Sequence, residues 1–290
     1  MTCGGHDVRG HVLRRFPARA NKGANQAERA VQMADAQRID TPRGRTLAYH
    51  LTPAAPQTQA GTSERPGVVF LGGFKSDMGG TKAVFLEEWC AAQGLAFLRF
   101  DYSGHGESSG AFVDGCIGNW AEDAEFAISH LTQGPQILVG SSMGGWISLL
   151  MTRRLCDRVA GLVTIAAAPD FTEDSMWAGF DQAQRQALEM VQQVALPSDY
   201  GEPYIITRRL IEDGRDHLVL RDPVPLPFPT RFLHGTADAD VDLSVALRLM
   251  ERATGDDIQL KLVKNADHRF STPECLALIG VAIQEVLAAI

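Results

Sequence analysis

The stretch Gln136-Ile137-Leu138-Val139-Gly140-Ser141-Ser142-Met143-Gly144-Gly145 passes from a short apolar run into a turn of small residues, and an apolar periodic segment, 146–155, follows it. That order predicts a strand, a sharp turn and a helix. Glycines two before and two after Ser142 fit a G-x-S-x-G turn, in which residues without a Cβ let the backbone fold tightly and leave the hydroxyl exposed above a sheet. Ser142 is therefore the candidate nucleophile.

Outward from this turn the same alternation recurs. Strand-like runs are expected at 45–52, 67–71, 95–100, 160–167, 230–233 and 258–263, and helices at 81–92, 119–131, 243–253 and 273–289. Strands alternating with helices predict an α/β protein with a mainly parallel central sheet covered by helices on both faces. Residues 170–227 interrupt the order and are too long for a plain connection, so an inserted lid is expected there. The α/β domain is expected over 37–290. Residues 1–36 are basic and acid-poor before Glu28, and are expected to be a disordered extension or a targeting-like segment, with Met33 an alternative start.

Lys plus Arg number 27 against 35 Asp plus Glu, a formal net charge of -8, which disfavours a nucleic-acid partner. No run approaches the eighteen or so apolar residues of a membrane span, so a soluble protein is expected. A bacterial cytoplasmic setting is expected, with the mitochondrion the alternative if the basic start is a transit peptide. The five cysteines lack C-x-x-C spacing, which removes the usual zinc and dithiol motifs. Cys90 and Cys156 lie in apolar helical patterns and are expected to be buried, inert thiols.

A serine hydroxyl needs a base to take its proton, and the base needs an orienting acid. In a strand-turn-helix architecture of this kind the order is serine, acid, histidine. His268 falls in the loop between the last strand and the last helix, and Asp238 just past the preceding strand. Asp240 and Asp242 crowd Asp238. Together these three have the opening spacing of a calcium loop, but Leu243 and Leu249 stand where that loop needs glycine and glutamate. Asp267, beside His268, is expected to be solvated. Two N–H donors for an oxyanion are expected from Met143, which follows the serine, and from Phe74, after Gly72-Gly73. Gly79-Gly80-Thr81-Lys82 reverses the Lys-Thr order of a phosphate loop, and the third glycine of the 104–110 run is one place late for a dinucleotide loop. His105 in that run is expected to pack the loop.

With these residues in hand, the chain from about Arg45 onward resembles the serine α/β-hydrolases. The resemblance is carried by Asp101-Tyr102-Ser103-Gly104-His105-Gly106-Glu107-Ser108-Ser109-Gly110, the turn around Ser142, His234-Gly235 leading to Asp238, and Asp267-His268. The family's His-Gly at the oxyanion strand is here Gly72-Gly73. More narrowly, residues 70–78 and Gly80-Thr81-Lys82-Ala83 are similar to the group of the mitochondrial palmitoyl-protein thioesterase that also acts as an acyl-glucuronide esterase, and its bacterial relatives. The resemblance implies a serine hydrolase of carboxylic esters or thioesters that works through an acyl-enzyme, with no cofactor and no metal, on a small-molecule or acylated-protein substrate. An acyltransferase on the same three residues and a non-catalytic binding protein of this fold are the alternatives. Phe171, Met176, Trp177 and Phe180 are candidates to line an acyl-chain pocket.

Overall fold

Strand β1 (Gln37–Asp40) turns through Gly44 into β2 (Thr46–Thr52), and the two pair antiparallel from Gln37 against Tyr49 to Asp40 against Thr46. This is the first hairpin of a computed structural model that describes residues 35–56, 65–197 and 203–290. The expectation for residues 1–36 falls, except for its last two residues, outside the described ones. Ala36–Ile290 form one compact unit.

β3 (Gly67–Leu71), β4 (Phe97–Phe100), β5 (Gln136–Ser141) and β6 (Val159–Ile165) follow in the chain. Helices α1 (Thr81–Ala92), α2 (Ile117–Leu131) and α3 (Met143–Arg154) connect them. Beyond β6 come a single π-type turn at Thr172–Trp177, α4 (Gln182–Val191), the antiparallel pair β7 (Gln193–Leu196) and β8 (Tyr204–Thr207), and α5 (Arg208–Arg215). The two-residue β9 (Val224–Pro225) precedes β10 (Thr230–Gly235) and α6 (Leu243–Arg252), and pairs with β11 (Ala253–Thr254). β12 (Ile258–Val263) and α7 (Pro273–Ala289) end the chain.

Among the described residues the main sheet has eight strands in the order β1-β2-β4-β3-β5-β6-β10-β12, parallel from β4 to β12. Side chains of a strand alternate between faces, and here both faces are apolar. Val68, Phe70, Ile137 and Val139 join one core with Leu86 of α1 and Ile279 and Ile283 of α7. Val69, Leu71 and Leu138 join the other with Trp120 of α2 and Trp146 of α3. Both tryptophans are fully buried, and truncating either to alanine would cost about 3–5 kcal/mol.

Residues between β6 and β10 are fastened to this frame by polar contacts. The Gly118 N–H at the start of α2 donates to Asp213 at 2.7 Å, and the Trp146 indole N–H to the His217 carbonyl at 3.0 Å. Asp174 accepts from both Arg221 and Arg248. Among the cysteines, Cys90 is buried and burial pushes its thiol up to about 12. Cys156 departs from expectation: α3 ends at Arg154, and Cys156 sits on the exposed short turn beyond it. No helix among the described residues is long and apolar enough to cross a membrane.

Candidate active site

The carboxyl ends of β3, β5, β10 and β12 bring four loops to one edge of the sheet. The turn after β5 holds Ser142 at φ 53° and ψ -118°, a conformation costing a non-glycine residue on the order of 1–3 kcal/mol. Its neighbours make it possible. A Cβ on Gly144 would stand 2.0 Å from the Leu71 carbonyl oxygen, and one on Gly140 2.3 Å from that of Gly144. The Ser142 N–H donates to the Ile165 carbonyl at 2.9 Å, and its own carbonyl accepts from Gly145 and Ala168. Backbone bonding on both sides offsets the strain and fixes the hydroxyl.

Past β10, one oxygen of Asp238 accepts the N–H groups of Asp240 at 2.9 Å and Val241 at 2.8 Å. The other lies 2.9 Å from Nδ1 of His268. Past β12, the loop is pinned on either side of His268 by buried Ala266 and Phe270. Thr272 caps α7 by accepting the Cys275 N–H, and Pro273 occupies the first turn, where it gives up no helical bond. Nε2 of His268 then reaches Oγ of Ser142 at 3.1 Å.

The protons follow from the chemistry of the groups. Burial raises the Asp238 carboxyl, but the His268 hydrogen bond and the Val241 and Asp240 N–H groups outweigh it and hold the carboxyl below its ordinary value. A carboxylate only accepts, so Nδ1 of His268 carries the hydrogen and Nε2 presents its lone pair to the Ser142 hydroxyl. Serine, imidazole and carboxylate form a line along which the hydroxyl proton can move to a base whose positive charge is then balanced.

The structure brings Ser142, Asp238 and His268 together, and puts exposed Asp240 and Asp267 off that line. Asp267 accepts the Phe270 N–H at 3.1 Å and so shapes the histidine loop. Ligand-type atoms of Asp238, Asp240 and His268 lie within 4.8 Å of one another. Both oxygens of Asp238 already accept N–H donors, however, and an ion there would have to displace the imidazole.

Met143 begins α3, where backbone N–H groups lack helical partners and favour negative charge. The loop after β3 runs beside it: a Cβ on Gly73 would stand 3.4 Å from the Ser142 Cβ. Among the described residues, neither the Met143 nor the Phe74 N–H has a hydrogen-bond acceptor. The Phe74 ring meets Phe112, Trp120, Phe171 and Tyr204 edge to face, with centroids 4.8–5.9 Å apart.

A cavity of about 610 Å³ opens over Ser142 and His268. Phe171 and Met176 line it as expected, but Trp177 and Phe180 do not. The Trp177 ring packs instead with Arg185 at 5.1 Å and Arg215 at 4.7 Å, and Phe180 is buried against it. Tyr204, Val241, Val245, Lys75 and Lys82 also line the cavity. Sequence reading gave none of these five a place at the cavity: Lys75, Lys82 and Val241 lie near predicted site residues in the chain, whereas Tyr204 and Val245 are brought to the serine by the fold. Burial lowers the Lys82 ammonium to about 8, and its Nζ donates to the carbonyl of Arg269, next to His268.

A mainly parallel sheet, a strained serine turn after β5 and an acid and a histidine at the ends of β10 and β12 define an α/β-hydrolase. Residues 72–198 match the family described as alpha/beta hydrolase fold, and together with the identity and coverage of the relatives that follow, this shows that the chain belongs to it and is a hydrolase. Its relatives include the mitochondrial palmitoyl-protein thioesterase ABHD10 of Rattus norvegicus, 34% identical over 77% of this chain and 76% of that one. A putative hydrolase from Agrobacterium vitis S4 superposes with a TM-score of 0.82, at 38% identity over 87% of this chain and 98% of its own. Alpha/beta hydrolase domain-containing protein 10 from mouse gives 0.79, at 31% identity over 88% and 99%.

Proposed function

We propose that the protein cleaves acyl thioesters or carboxylic esters through an acyl-enzyme on Ser142. The observation that carries this is the unbroken line from Ser142 Oγ through His268 to Asp238, at 3.1 and 2.9 Å, facing a cavity that combines an apolar wall at Phe171, Met176, Tyr204 and Val245 with polar and charged residues. Ser142 attacks the acyl carbon as His268 Nε2 takes its proton, and Asp238 balances the imidazolium. The Phe74 and Met143 N–H groups hold the oxyanion; each such donor is worth about a hundred- to a thousandfold in rate. His268 then returns the proton to the departing thiolate or alkoxide. Water repeats the sequence on the acyl-enzyme and frees Ser142.

The relatives named as palmitoyl-protein thioesterases support a long acyl chain on sulfur, which Phe171, Met176, Tyr204 and Val245 would receive. In this reading residues 170–227 are a lid over the chain. Lys75 and Lys82 at the same cavity favour a second possibility, an acyl-glucuronide whose leaving group carries a carboxylate. A fluorophosphonate probe tests the chemistry: the wild type should label and Ser142→Ala should not, and equal labelling would refute the assignment. Comparing kcat/KM for palmitoyl thioesters, p-nitrophenyl esters and acyl glucuronides ranks the substrates. Product formed only with an added alcohol or thiol would instead indicate an acyltransferase.

The mammalian relatives are named mitochondrial, while for this chain the cytoplasm of a bacterium is our proposal. Residues 1–34, which bear on the point, lie outside the described residues. Fractionation of the source cell decides between the two.

A further inference from the structure

The loop after β3 must aim the Phe74 N–H at the space above Ser142, and its Lys75 takes φ 56°, a region non-glycine residues avoid. Part of the hold is local. The Ser76 N–H and hydroxyl both donate to the Gly73 carbonyl, at 3.2 and 2.8 Å, and this carbonyl shares its peptide plane with the Phe74 N–H.

The rest comes from Arg99 near the end of β4 and from the glycine and serine run after it. Nε2 of His105 accepts the Lys75 N–H at 3.1 Å. One oxygen of Asp101 accepts the Met78 N–H at 2.6 Å, and buried Arg99 donates to the Met78 carbonyl at 2.7 Å. His105 is 4% exposed and meets the rings of Tyr102, Phe112 and Trp120 edge to face at 5.6, 5.2 and 5.1 Å.

A backbone N–H can only donate, so Nε2 of His105 must be bare. Its hydrogen then sits on Nδ1, which faces the Ser103 carbonyl at 3.2 Å. Burial lowers this imidazole to about 4, which keeps it a neutral acceptor at neutral pH.

We infer that His105 is a positioning residue for hydrolysis, its bare Nε2 holding the Lys75 amide so that the adjoining Phe74 N–H is set for the oxyanion. The inference rests on the roles proposed above for Ser142, Phe74 and Met143. It gives the Asp101–Gly110 run a task beyond packing: this run is the outer brace of the oxyanion loop.

The test uses the full chain and a p-nitrophenyl ester. His105→Phe keeps an aromatic ring and removes the acceptor, whereas His105→Gln can place an amide oxygen near the Nε2 position. His105→Phe should lower kcat about ten- to a hundredfold with KM within about twofold, the mark of an interaction made in the transition state. His105→Gln should stay within about threefold of wild type. A folded His105→Phe with wild-type kcat, or a His105→Gln that falls as far as His105→Phe, overturns the inference. Should the variants fail to fold, the wild type answers through long-range ¹H–¹⁵N NMR of His105. At pH 7 the hydrogen should be on Nδ1, and a hydrogen on Nε2 overturns the inference. A wild type that neither hydrolyses esters nor takes the probe refutes the Ser142 reading and this inference with it, whereas a negative result confined to the His105 variants or the tautomer overturns this inference alone.

Discussion

The Asn265 N–H donates to the Thr236 hydroxyl at 2.9 Å, joining the loop that carries His268 to the loop that carries Asp238. The Ala237 N–H and Ala266 carbonyl make a second tie at 3.0 Å. These bonds set the separation of the imidazole and the carboxylate before either side chain is considered.

Thr236→Val keeps the shape and removes the first tie. Both residues are exposed, so water can replace the lost partner and the stability cost should be no more than about 1 kcal/mol, or about 2–4 °C in Tm. Loosening the loops should still lower kcat about two- to fivefold, because catalysis falls off steeply with small misplacements. Unchanged kcat would show that the second tie suffices alone.

Asp238→Asn places an amide where Nδ1–H of His268 needs a carboxylate, and favours the tautomer whose Nε2 cannot act as base. Turnover should fall about ten-thousandfold with the fold intact. Asp240→Asn and Asp267→Asn should stay within about tenfold of wild type, since neither carboxylate lies on the line to Ser142. An equal loss at Asp240 would move the acid assignment there.

The low value of His105 has a consequence for stability. Its pKa is about 4 in the fold and about 6.5 in an unfolded chain, so protons favour the unfolded state. The stabilisation is complete above pH 6.5 and is lost as pH falls through 4, on the order of 3 kcal/mol. The groups facing the ring are Tyr102, Phe112 and Trp120, with the Lys75 amide the hydrogen-bond partner. Urea unfolding of wild type and His105→Gln at pH 7.5 and 4.5 isolates the effect, because the carboxylates titrate in both. The wild type should lose more stability between the two pH values; equal losses would contradict a buried neutral imidazole.

The serine turn is legible in the sequence because it follows the consecutive apolar run Ile137-Leu138-Val139, and the acid and histidine slots because each closes a strand that precedes a helix, one around Phe232-Leu233 and one the alternating Ile258-Gln259-Leu260-Lys261-Leu262. β1, the β7–β8 pair and α5 were not. They are short, β1 and β7 bury no residue and β8 only Ile206, and α5 hides only Leu210, Ile211 and Gly214 among charged neighbours. The role of His105 was hidden for another reason: its partner, Lys75, lies 30 residues earlier, and no local pattern marks which nitrogen faces it. Phe171 and Trp177 look alike in sequence, yet one reaches the cavity and the other packs between two arginines.

That last difference can be measured. Phe171 stands at the cavity wall and meets the Phe74 ring at 5.5 Å and the Trp146 ring at 5.6 Å, so it links the residues beyond β6 to the oxyanion loop. Removing it opens space on the acyl side and withdraws a contact from a long chain. Phe171→Ala should therefore lower kcat/KM for a palmitoyl thioester by about tenfold or more, as loss of 1.4 kcal/mol of contact implies, and much less for an acetyl thioester. Trp177→Ala removes a larger ring that lines no part of the cavity. It should lower Tm through the lost Arg185 and Arg215 contacts while leaving the ratio of long- to short-chain kcat/KM within about twofold of wild type. A chain-length profile that responds to Trp177 and not to Phe171 would place the acyl chain elsewhere.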